Sequence, residues 1–580
     1  MPGCRTEAVV TLRGMTALVT GRLKFFSAQR CRTACFSGSS GFSVCIRVFR
    51  HGVEKVMGSK NGTNWIAAPS TGEMIAEVAQ DSVEELRDAV AAARRAQEEW
   101  KDVPYGTRAR AALRARRFVV ENVDRIAEIV SRCTGKTRVD ALSTEVLPAA
   151  IAIAYYTRTV RRELVPRRAR RSSLLFFNKR TVVQRVPFGV VGIIAPCNYP
   201  FGIPIHEVMT ALLAGNGVVL KVATVSQPVG ELIAEMIRFA DFPSGLFRHV
   251  RVPGGIAGKA FLDAGIDKLF FTGSTEVGKL LMQEAGKTLT PVSLELGGND
   301  AMVVLSDANL PRAAAGAVWA GVSNCGQSCG GVQRIYVESA VYGQFRELLS
   351  KRVSSLRQGP DLDFNVDYGS ITTPEQLHIV DRHLKEARSR GARIVATSSG
   401  AEKASGLFFP ATLVEVDDDE LSLIRDESFG PLLALCRVRD EEEAIRKANA
   451  SYLGLTASVW SMNRGRAAGV ASRLQAGTVT INDHLMTHGM AEASWGGVKQ
   501  SGIGRTHGVA GIHEMTQERC IVTELLPAMK RNMWWHPHSR AVYDGLKATL
   551  DLLFGHHLLR RARSAFAVAR LFLRAARGRE

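Results

Sequence analysis

Apolar and polar residues follow a helical period in the first part of the chain. Between Val83 and Trp100 apolar residues return every three to four positions, and residues 82–85 (Ser-Val-Glu-Glu) form a capping box at the start of this run. We expect a second helix that is capped by Thr107 and ends near Gly135, and a third over residues 145–159. A layer of amphipathic helices therefore precedes the rest of the fold.

From Gly189 the pattern changes to short apolar strands that alternate with helices. Such alternation predicts a parallel sheet covered on both faces, with ligands bound at the carboxyl ends of its strands. Asn198, Lys221 and Gly273 fall at such ends. The predicted strands are 190–195, 217–221, 249–252 and 268–271, and the predicted helices are 204–213, 229–239 and one that opens at residues 272–274.

A second run of strands and helices occupies residues 301–481 and predicts a second α/β lobe. A further strand is expected at 518–526. The predicted strands of the second lobe are 303–305, 335–337, 393–396, 431–438 and 458–460, and its predicted helices are 311–321, 342–356, 375–390 and 441–448.

Two segments of the chain are strongly basic. Residues 161–171 are rich in arginine and lead into residues 174–186, which we interpret as a protruding hairpin. Residues 541–576 form a predicted helical region that is broken near Gly555 and mixes arginines with apolar residues. A basic amphipathic helix can cover a neighbouring subunit or lie on an anionic membrane. The apolar residues crowd all sides of the last turns, which favours packing, and both interpretations stay open.

Composition narrows the class of protein. The 580 residues carry 75 Lys and Arg against 56 Asp and Glu, a formal charge of +19, but no nucleic-acid-binding motif accompanies this excess. Nucleic acid is therefore not an expected partner. The ten cysteines show no CxxC pair and no zinc-type spacing, so we expect reduced thiols and no metal site. No apolar run reaches about 18 residues, and no transmembrane helix is expected.

The first 56 residues have three interpretations. They are rich in arginine, contain serine and hold one acidic residue before Arg50, which is typical of an organellar transit peptide. They can equally be disordered, or the protein can start at Met57. We expect a cytoplasmic protein, with the mitochondrial matrix as the alternative if residues 1–56 are a transit peptide.

Four short motifs bring reactive side chains into small or apolar surroundings. Cys329 follows Gly-Gln-Ser and precedes two glycines, so an electrophile and a flat cofactor ring can approach its sulfur. Glu295 stands between two leucines, as suits a general base in an apolar pocket. Asn198 lies in an apolar loop, and residues 271–278 (FTGSTEVG) form a turn before a helix start that attracts phosphate. Taken singly, each motif also has an ordinary structural explanation, such as an inert buried thiol.

In this order the four motifs resemble the aldehyde dehydrogenase superfamily, and are similar to its non-acylating, bacterial succinate-semialdehyde-type members. The resemblance covers residues 64–525 and includes residues 427–431 (ESFGP) and 495–505. It implies an α/β fold with a Rossmann-type cofactor domain, an α/β catalytic domain and a small β oligomerisation arm. The implied divisions are an N-terminal extension (1–60), an NAD(P)-binding domain (61–296) with an oligomerisation hairpin (168–188), a catalytic domain (297–490), a return to the cofactor domain with an oligomerisation strand (491–528) and a basic C-terminal extension (529–580).

The resemblance implies the roles of the catalytic residues. Cys329 adds to the aldehyde to form a thiohemiacetal, and Asn198 with the backbone N–H of Cys329 holds the oxyanion. Glu295 activates the water that cleaves the resulting thioester, so the product is a carboxylate and the acyl group is not passed to coenzyme A.

NAD or NADP is the implied cofactor. Lys221 is expected at the adenosine ribose, and Ser274 at the pyrophosphate in the turn that also contains Gly273 and Gly278. Glu427 and Phe429 are expected at the nicotinamide riboside.

Two positions depart from the pattern of the resembling family. The family often has Lys-Pro-Ser/Ala-Glu where residues 221–224 read Lys-Val-Ala-Thr. Thr224 thus removes a carboxylate whose repulsion of a 2′-phosphate is about 4 kcal/mol at ~4 Å and an effective dielectric near 20. We therefore predict that NADP is accepted, and the preference between NAD and NADP stays open. Cys197 stands where the family frequently has tryptophan.

The substrate stays open between a semialdehyde and a medium- or long-chain aldehyde. His484, Met486, His488 and Met490 are candidates for the substrate mouth, although an ordinary loop is the simpler interpretation. The resemblance implies a homodimer or homotetramer. Two alternatives remain: a membrane-associated fatty-aldehyde dehydrogenase with peripheral contact through its C-terminal helix, and a non-catalytic scaffold or binding protein.

Overall fold

The computed structural model describes residues 62–400 and 406–577 in full and, before them, the backbone of five short strands. β1 pairs with β2 and β3 pairs with β4, both antiparallel. Apart from these strands, the three interpretations of residues 1–56 concern a stretch that lies outside the described residues. The five strands are β1 (Val9–Leu12), β2 (Met15–Leu18), β3 (Arg32–Ser37), β4 (Ser43–Val48) and β5 (Met57–Lys60).

The chain divides into two compact units, of which the first comprises residues 1–163 and 187–516 and the second residues 164–186 and 517–580. In the first unit two strands that complete a small sheet with β5 lead into helices. A π-helical turn over Leu142–Val146 joins the last two helices. These elements are β6 (Thr63–Ala67), β7 (Met74–Ala79), α1 (Val83–Trp100), α2 (Tyr105–Glu121), α3 (Val123–Thr134), α4 (Arg138–Ala141) and α5 (Leu147–Leu164).

The helical layer confirms one sequence prediction and corrects two. The capping box at residues 82–85 is present. The predicted cap at Thr107 is wrong, because α2 begins directly after Pro104, which has no N–H to leave unpaired at a helix start. The single helix expected up to Gly135 is interrupted at Asn122. Its side-chain amide donates to the carbonyl of Phe118 at 2.9 Å and competes with the helical hydrogen bonds.

The predicted parallel sheet is present in the first unit. Its strands lie in the order β12–β11–β10–β13–β14, all parallel, and a short strand at Gly502–Ile503 adds antiparallel to β14. The pattern did not predict helix α8. The elements that follow β8 (Arg167–Arg168) and β9 (Lys179–Pro187) are β10 (Val190–Ile194), α6 (Gly202–Ala214), β11 (Gly217–Lys221), α7 (Gln227–Phe239), β12 (Phe247–His249), α8 (Gly254–Asp263), β13 (Lys268–Thr272), α9 (Thr275–Gly286) and β14 (Val292–Glu295).

A second sheet of seven strands forms the next lobe. Its order is β17–β18–β19–β16–β15–β21–β22, and β17 is its antiparallel edge strand. Strands β18 and β22 were not predicted. The elements are β15 (Asp300–Val304), α10 (Leu310–Val322), β16 (Val332–Glu338), α11 (Tyr342–Ser355), α12 (Pro374–Ser389), β17 (Arg393–Thr397), β18 (Thr412–Glu415), α13 (Ser422–Arg425), β19 (Leu432–Val438), α14 (Glu441–Asn449), β20 (Leu453–Gly454), β21 (Thr456–Trp460), α15 (Arg464–Ala471) and β22 (Thr478–Ile481).

The last elements belong to both units. β23 (Val498–Lys499) pairs with β20, β24 is the strand Gly502–Ile503, and α16 spans Gly508–Glu514. In the second unit β25 (Thr516–Glu524) is followed by α17 (Arg540–Phe554) and α18 (Leu558–Arg577), so the predicted break near Gly555 is confirmed. Residues 174–186 do not form a hairpin by themselves: a 3-10 turn over Leu174–Phe176 precedes β9, which pairs with β8 and β25. Among the described helices, none combines the length and the hydropathy that a membrane span requires.

Candidate active site

Cys329 follows a strained turn between α10 and β16. Asn324 and Cys325 both adopt left-handed backbone angles, with φ of 54° and 55°. Side chains from elsewhere hold this conformation: Asp140 Oδ2 accepts the N–H of Asn324 at 3.1 Å, and the amide of Asn324 donates to the carbonyl of Asn198 at 2.9 Å. Because the turn is not helical, Cys325 and Cys329 do not share a helix face.

The loop that carries Asn198 is hydrogen-bonded to this turn. The side-chain amide of Asn198 donates to the carbonyl of Gln327 at 3.0 Å. An amide has two N–H donors, so a second one remains for a group in the cleft that Asn198 and Cys329 both line. The carbonyl of Asn198 in turn accepts from Lys136 Nζ at 2.7 Å.

A buried ion pair contacts the backbone of the loop that carries Asn198. Lys136 Nζ lies 2.6 Å from Glu145 Oε1, and both side chains are fully buried. The other oxygen of Glu145 accepts the N–H groups of Phe201 and Gly202 at 2.8 and 3.0 Å. The sequence analysis missed this pair, because neither residue lies in or next to any of the four motifs.

Glu295 ends β14 as a buried carboxyl without a hydrogen-bond partner on either oxygen. Burial raises the pKa of Glu295 well above its ordinary value, and the nearby carboxyl of Glu207 raises it further. Glu207, on α6, is buried with both oxygens unpaired, and its pKa is also raised by burial. The sequence analysis did not single out Glu207, which lies with His206 and Thr210 on a helix that otherwise lacks polar side chains.

Two glycines after Glu295 bring the backbone close to the reactive groups. A Cβ at Gly298 would lie 2.1 Å from the carbonyl oxygen of Cys329, and one at Gly297 would lie 2.1 Å from Glu427 Oε2. Burial raises the pKa of Glu427 to about 8, and its Oε1 has no hydrogen-bond partner. At Gly298 the obstacle is backbone, so only a residue without a side chain fits there, whereas a Cβ at Gly297 would have to displace the Glu427 carboxyl.

Cys329 is partly accessible from a cleft, yet its sulfur is surrounded by protein. Burial raises the pKa of the Cys329 thiol above its ordinary value, and the carboxyls of Glu427, Asp300 and Glu295 raise it further. Cys325, four residues earlier, is fully buried. The two thiols therefore differ in access to a reagent.

One cleft of about 590 Å³ brings most of the predicted site residues together. It lies at the carboxyl ends of strands β10, β13 and β14. Lys221, Thr224 and Gly278 do not line it: Lys221 is buried at the end of β11, where burial lowers its pKa to about 8, and Gly278 packs against Leu296. The predicted residues that line the cleft are Asn198, Gly273, Ser274, Glu295, Cys329, Glu427 and Phe429.

The cleft fits a dinucleotide. Helix α9 begins at its wall with Ser274 as N-cap, so free backbone N–H groups and the positive end of the helix dipole are available to a pyrophosphate. Oε1 of Glu427 is a buried acceptor without a partner, as suits a ribose hydroxyl. Among the described residues no group of three or more His, Cys, Asp or Glu is placed to hold a metal ion.

Comparison with known proteins agrees with this geometry. The sequence model of the aldehyde dehydrogenase family matches residues 56–521. The chain is 35% identical to 4,4'-diapolycopene aldehyde oxidase from Methylomonas sp. over 86% of this chain and 92% of that protein. It is 36% identical to a protein named "Putative succinate-semialdehyde dehydrogenase (NADP⁺)" from Mycolicibacterium smegmatis, over 78% and 87% of the two chains.

Solved structures show the same fold. The betaine aldehyde dehydrogenase of Staphylococcus aureus in complex with NAD⁺ matches with a TM-score of 0.77 and 28% identity, over 82% of this chain and 96% of that chain. PnpE in complex with nicotinamide adenine dinucleotide matches with a TM-score of 0.76 and 28% identity, over 80% and 94%.

The fold and the cleft define an NAD(P)-dependent oxidoreductase that acts on aldehydes. The chain belongs to the aldehyde dehydrogenase family.

Proposed function

We propose that this protein oxidises an aldehyde to a carboxylate through a covalent intermediate on Cys329. Three features support the proposal: a partly accessible thiol in the cleft, the remaining side-chain amide N–H of Asn198, and the unpaired carboxyl of Glu295, with both of these residues lining the same cleft. Because the pKa of the thiol is raised, the nucleophile forms when its proton passes to a neighbouring carboxylate as the sulfur adds to the carbonyl carbon.

The remaining steps follow from the same side chains. Asn198 Nδ2 and the backbone N–H of Cys329 stabilise the oxyanion of the thiohemiacetal. NAD(P), when bound in the cleft, supplies the hydride acceptor. Glu295 then takes a proton from the water that attacks the thioester, and the Cys329 thiol leaves as the carboxylate is released. A carboxyl with a raised pKa suits this role, because its conjugate base is strong enough to deprotonate water.

The observation that carries the proposal is the cleft shared by Cys329, Asn198 and Glu295. Cys329→Ala is expected to abolish aldehyde-dependent cofactor reduction, while Cys325→Ala, which removes a fully buried thiol four residues away, retains it. Glu295→Gln is expected to give one burst of reduced cofactor per subunit and then stall.

Hydroxylamine separates the steps, because it cleaves thioesters without a protein base. Its addition is expected to restart turnover of the Glu295→Gln variant, and mass spectrometry of the stalled enzyme should show an acyl group on Cys329. Full steady-state turnover of either Cys329→Ala or Glu295→Gln would refute the assigned roles.

We further propose that the substrate is a neutral aldehyde with an apolar body. The relatives' names differ on this point, since one names 4,4'-diapolycopene aldehyde and the other succinate semialdehyde. The cation that contacts Asn198 is Lys136, which donates to the carbonyl of Asn198 and is already paired with Glu145. Burial lowers the pKa of His488 to about 4, so it is neutral at pH 7. Neither Lys136 nor His488 therefore offers an unpaired cation to an acidic tail.

The surface next to these residues is apolar. The ring of His488 packs 4.5 Å from that of Tyr199, the neighbour of Asn198, and the turn Met486–Gly489 lies against the π-helical turn of residues 142–146. In and next to these two turns the side chains of Leu142, Leu147, Met486 and Met490 are exposed. Decanal is expected to give a higher kcat/KM than succinic semialdehyde, and Leu147→Ser/Met486→Ser to lower it for decanal. The exposed-site control Val120→Ser should not change it, and a preference for succinic semialdehyde would refute the substrate class.

We also propose that the protein is a homo-oligomer assembled through β25. This strand is the edge of its three-stranded sheet, and Ile521 and Val522 on it are exposed. An exposed apolar edge pairs readily with another strand. Light scattering of Val522→Lys is expected to show a smaller mass than the wild type, and an unchanged mass would refute the assignment.

A further inference from the structure

The C-terminal helical hairpin lies beyond residue 521, where the family match ends. Within the second unit α18 packs on α17 through a narrow inner face: Leu571 and Ala575 are buried, and the leucine lies against Gly545 of α17. Gly545 has no side chain, so the two helices approach closely. The apolar residues that crowd the sequence of α18 are thereby divided between an inner face and an outer face.

The outer face of α18 carries a regular apolar stripe. Leu559, Phe566 and Leu573 are seven residues apart and therefore share one side of the helix. Their exposed fractions are 82%, 75% and 52%. Near the turn between the helices, Phe554 and Leu558 are exposed as well, at 72% and 80%. An exposed apolar surface of this extent marks an interaction site.

Arginines interrupt the stripe at every second turn. Arg563 and Arg570 each follow a stripe residue by four positions, so both lie on the same side of the helix and are exposed. Neither forms an ion pair with any residue that the structure describes. The helix contains no acidic residue, and its six arginines are Arg560, Arg561, Arg563, Arg570, Arg574 and Arg577.

The charge of the second unit is strongly positive. Up to residue 577 it holds 18 Lys and Arg against four Asp and Glu, so most of the formal +19 of the chain lies here. The arginines at positions 167, 168, 170 and 171 belong to this unit and are exposed. The second unit therefore carries a positive field in addition to the apolar stripe.

These features discriminate between possible occupants. A second copy of α18 would bring the same arginines against Arg563 and Arg570, and a helix seam would bury both cations unpaired. An anionic lipid surface accepts both parts of the face at once, because the apolar side chains enter the acyl boundary while the arginines reach the phosphates. We propose that the outer face of α18 docks this protein on an anionic lipid bilayer, as a peripheral contact.

The test uses the full-length protein and sedimenting vesicles. Vesicles of phosphatidylcholine with one-third phosphatidylglycerol are expected to co-sediment the protein, and binding should fall as salt is raised. Pure phosphatidylcholine vesicles are expected to bind at least tenfold less. Absence of binding to the anionic vesicles would overturn the proposal.

Paired variants separate the stripe from net charge. Leu559→Ser/Phe566→Ser/Leu573→Ser and, independently, Arg563→Gln/Arg570→Gln are each expected to lower vesicle binding at least tenfold. Arg388→Gln/Arg464→Gln changes the charge equally on exposed residues of the first unit and is expected to leave binding nearly unchanged. An equal loss in that control would reduce the effect to net charge and overturn the proposal.

The same variants report on self-association. All of them should retain wild-type circular dichroism and aldehyde oxidation, because the altered side chains are exposed and outside the cleft. Light scattering without vesicles should give the wild-type mass. A reduced mass of the stripe variant, together with unchanged vesicle binding, would assign the face to a second copy instead.

Discussion

The ion pair between Lys136 and Glu145 is expected to position the loop of Asn198. Both side chains are fully buried, with 2.6 Å between Nζ and Oε1. Lys136 also donates to the carbonyl of Asn198 and lies 4.2 Å from the ring centre of Tyr199, while Glu145 accepts the backbone N–H groups of residues 201–202. Removing one member alone leaves the other as an uncompensated buried charge.

The expected magnitudes follow from this burial. Lys136→Met and Glu145→Gln are each expected to lower the free energy of unfolding by about 3–5 kcal/mol, the usual cost of breaking a buried pair. The double variant removes both charges, and its amide oxygen still accepts the two N–H groups. The free energy of unfolding of the double variant should therefore be higher, by about 2 kcal/mol or more, than the sum of the two single losses predicts.

Urea unfolding of the four proteins measures the coupling, and kcat/KM reports the position of Asn198. A shift of the loop by about 1 Å is expected to lower kcat/KM of Lys136→Met by roughly 100-fold. The exposed pair of Lys101 and Glu98 is the control, and Lys101→Met/Glu98→Gln should change neither quantity measurably. Additive single variants in the buried pair would refute the reasoning.

Three further changes test other parts of the site. Gly298→Ala is expected to lower kcat/KM about tenfold or more through ~1–3 kcal/mol of strain, because the new Cβ would meet the carbonyl of Cys329, whereas Gly286→Ala, in open space, should be neutral in the same assay. Thr224→Glu is expected to raise the NAD to NADP ratio of kcat/KM at least tenfold, and the prediction that NADP is accepted fails if the wild type favours NAD tenfold. Glu207→Gln is expected to flatten the pH dependence of the free energy of unfolding. Because the pKa of Glu207 is raised in the folded state, the protonated carboxyl contributes stability below its unfolded-state pKa, and this contribution is lost as the pH rises through its folded-state pKa. Equal loss of stability between pH 5 and 9 in this variant and the wild type, measured by urea unfolding, would contradict that assignment.

Much of this protein is encoded locally in its sequence. The capping box at residues 82–85, the strand before Gly273 and the break near Gly555 could be predicted, because hydrophobic period, cap chemistry and glycine act over a few residues. The motifs around Cys329, Glu295 and Asn198 likewise identify the family. The start of α2 was predicted at Thr107 but lies directly after Pro104, because both residue types are typical of a helix start.

Tertiary structure decided which side chains meet. Lys136, Asn198 and Asn324 are far apart in sequence, and only the packing of the helical layer against the two sheets brings them into hydrogen-bond distance. Tertiary packing also decides that the carboxyl of Glu207 is unpaired and that Lys221 does not line the cleft. The sequence of α18 does not show which of its apolar residues are exposed. Leu571 and Ala575 are buried in the structure, whereas Leu559, Phe566 and Leu573 are exposed. The physical reason is that periodicity fixes the conformation of a segment, whereas burial, charge pairing and exposure depend on neighbours that the segment itself does not contain.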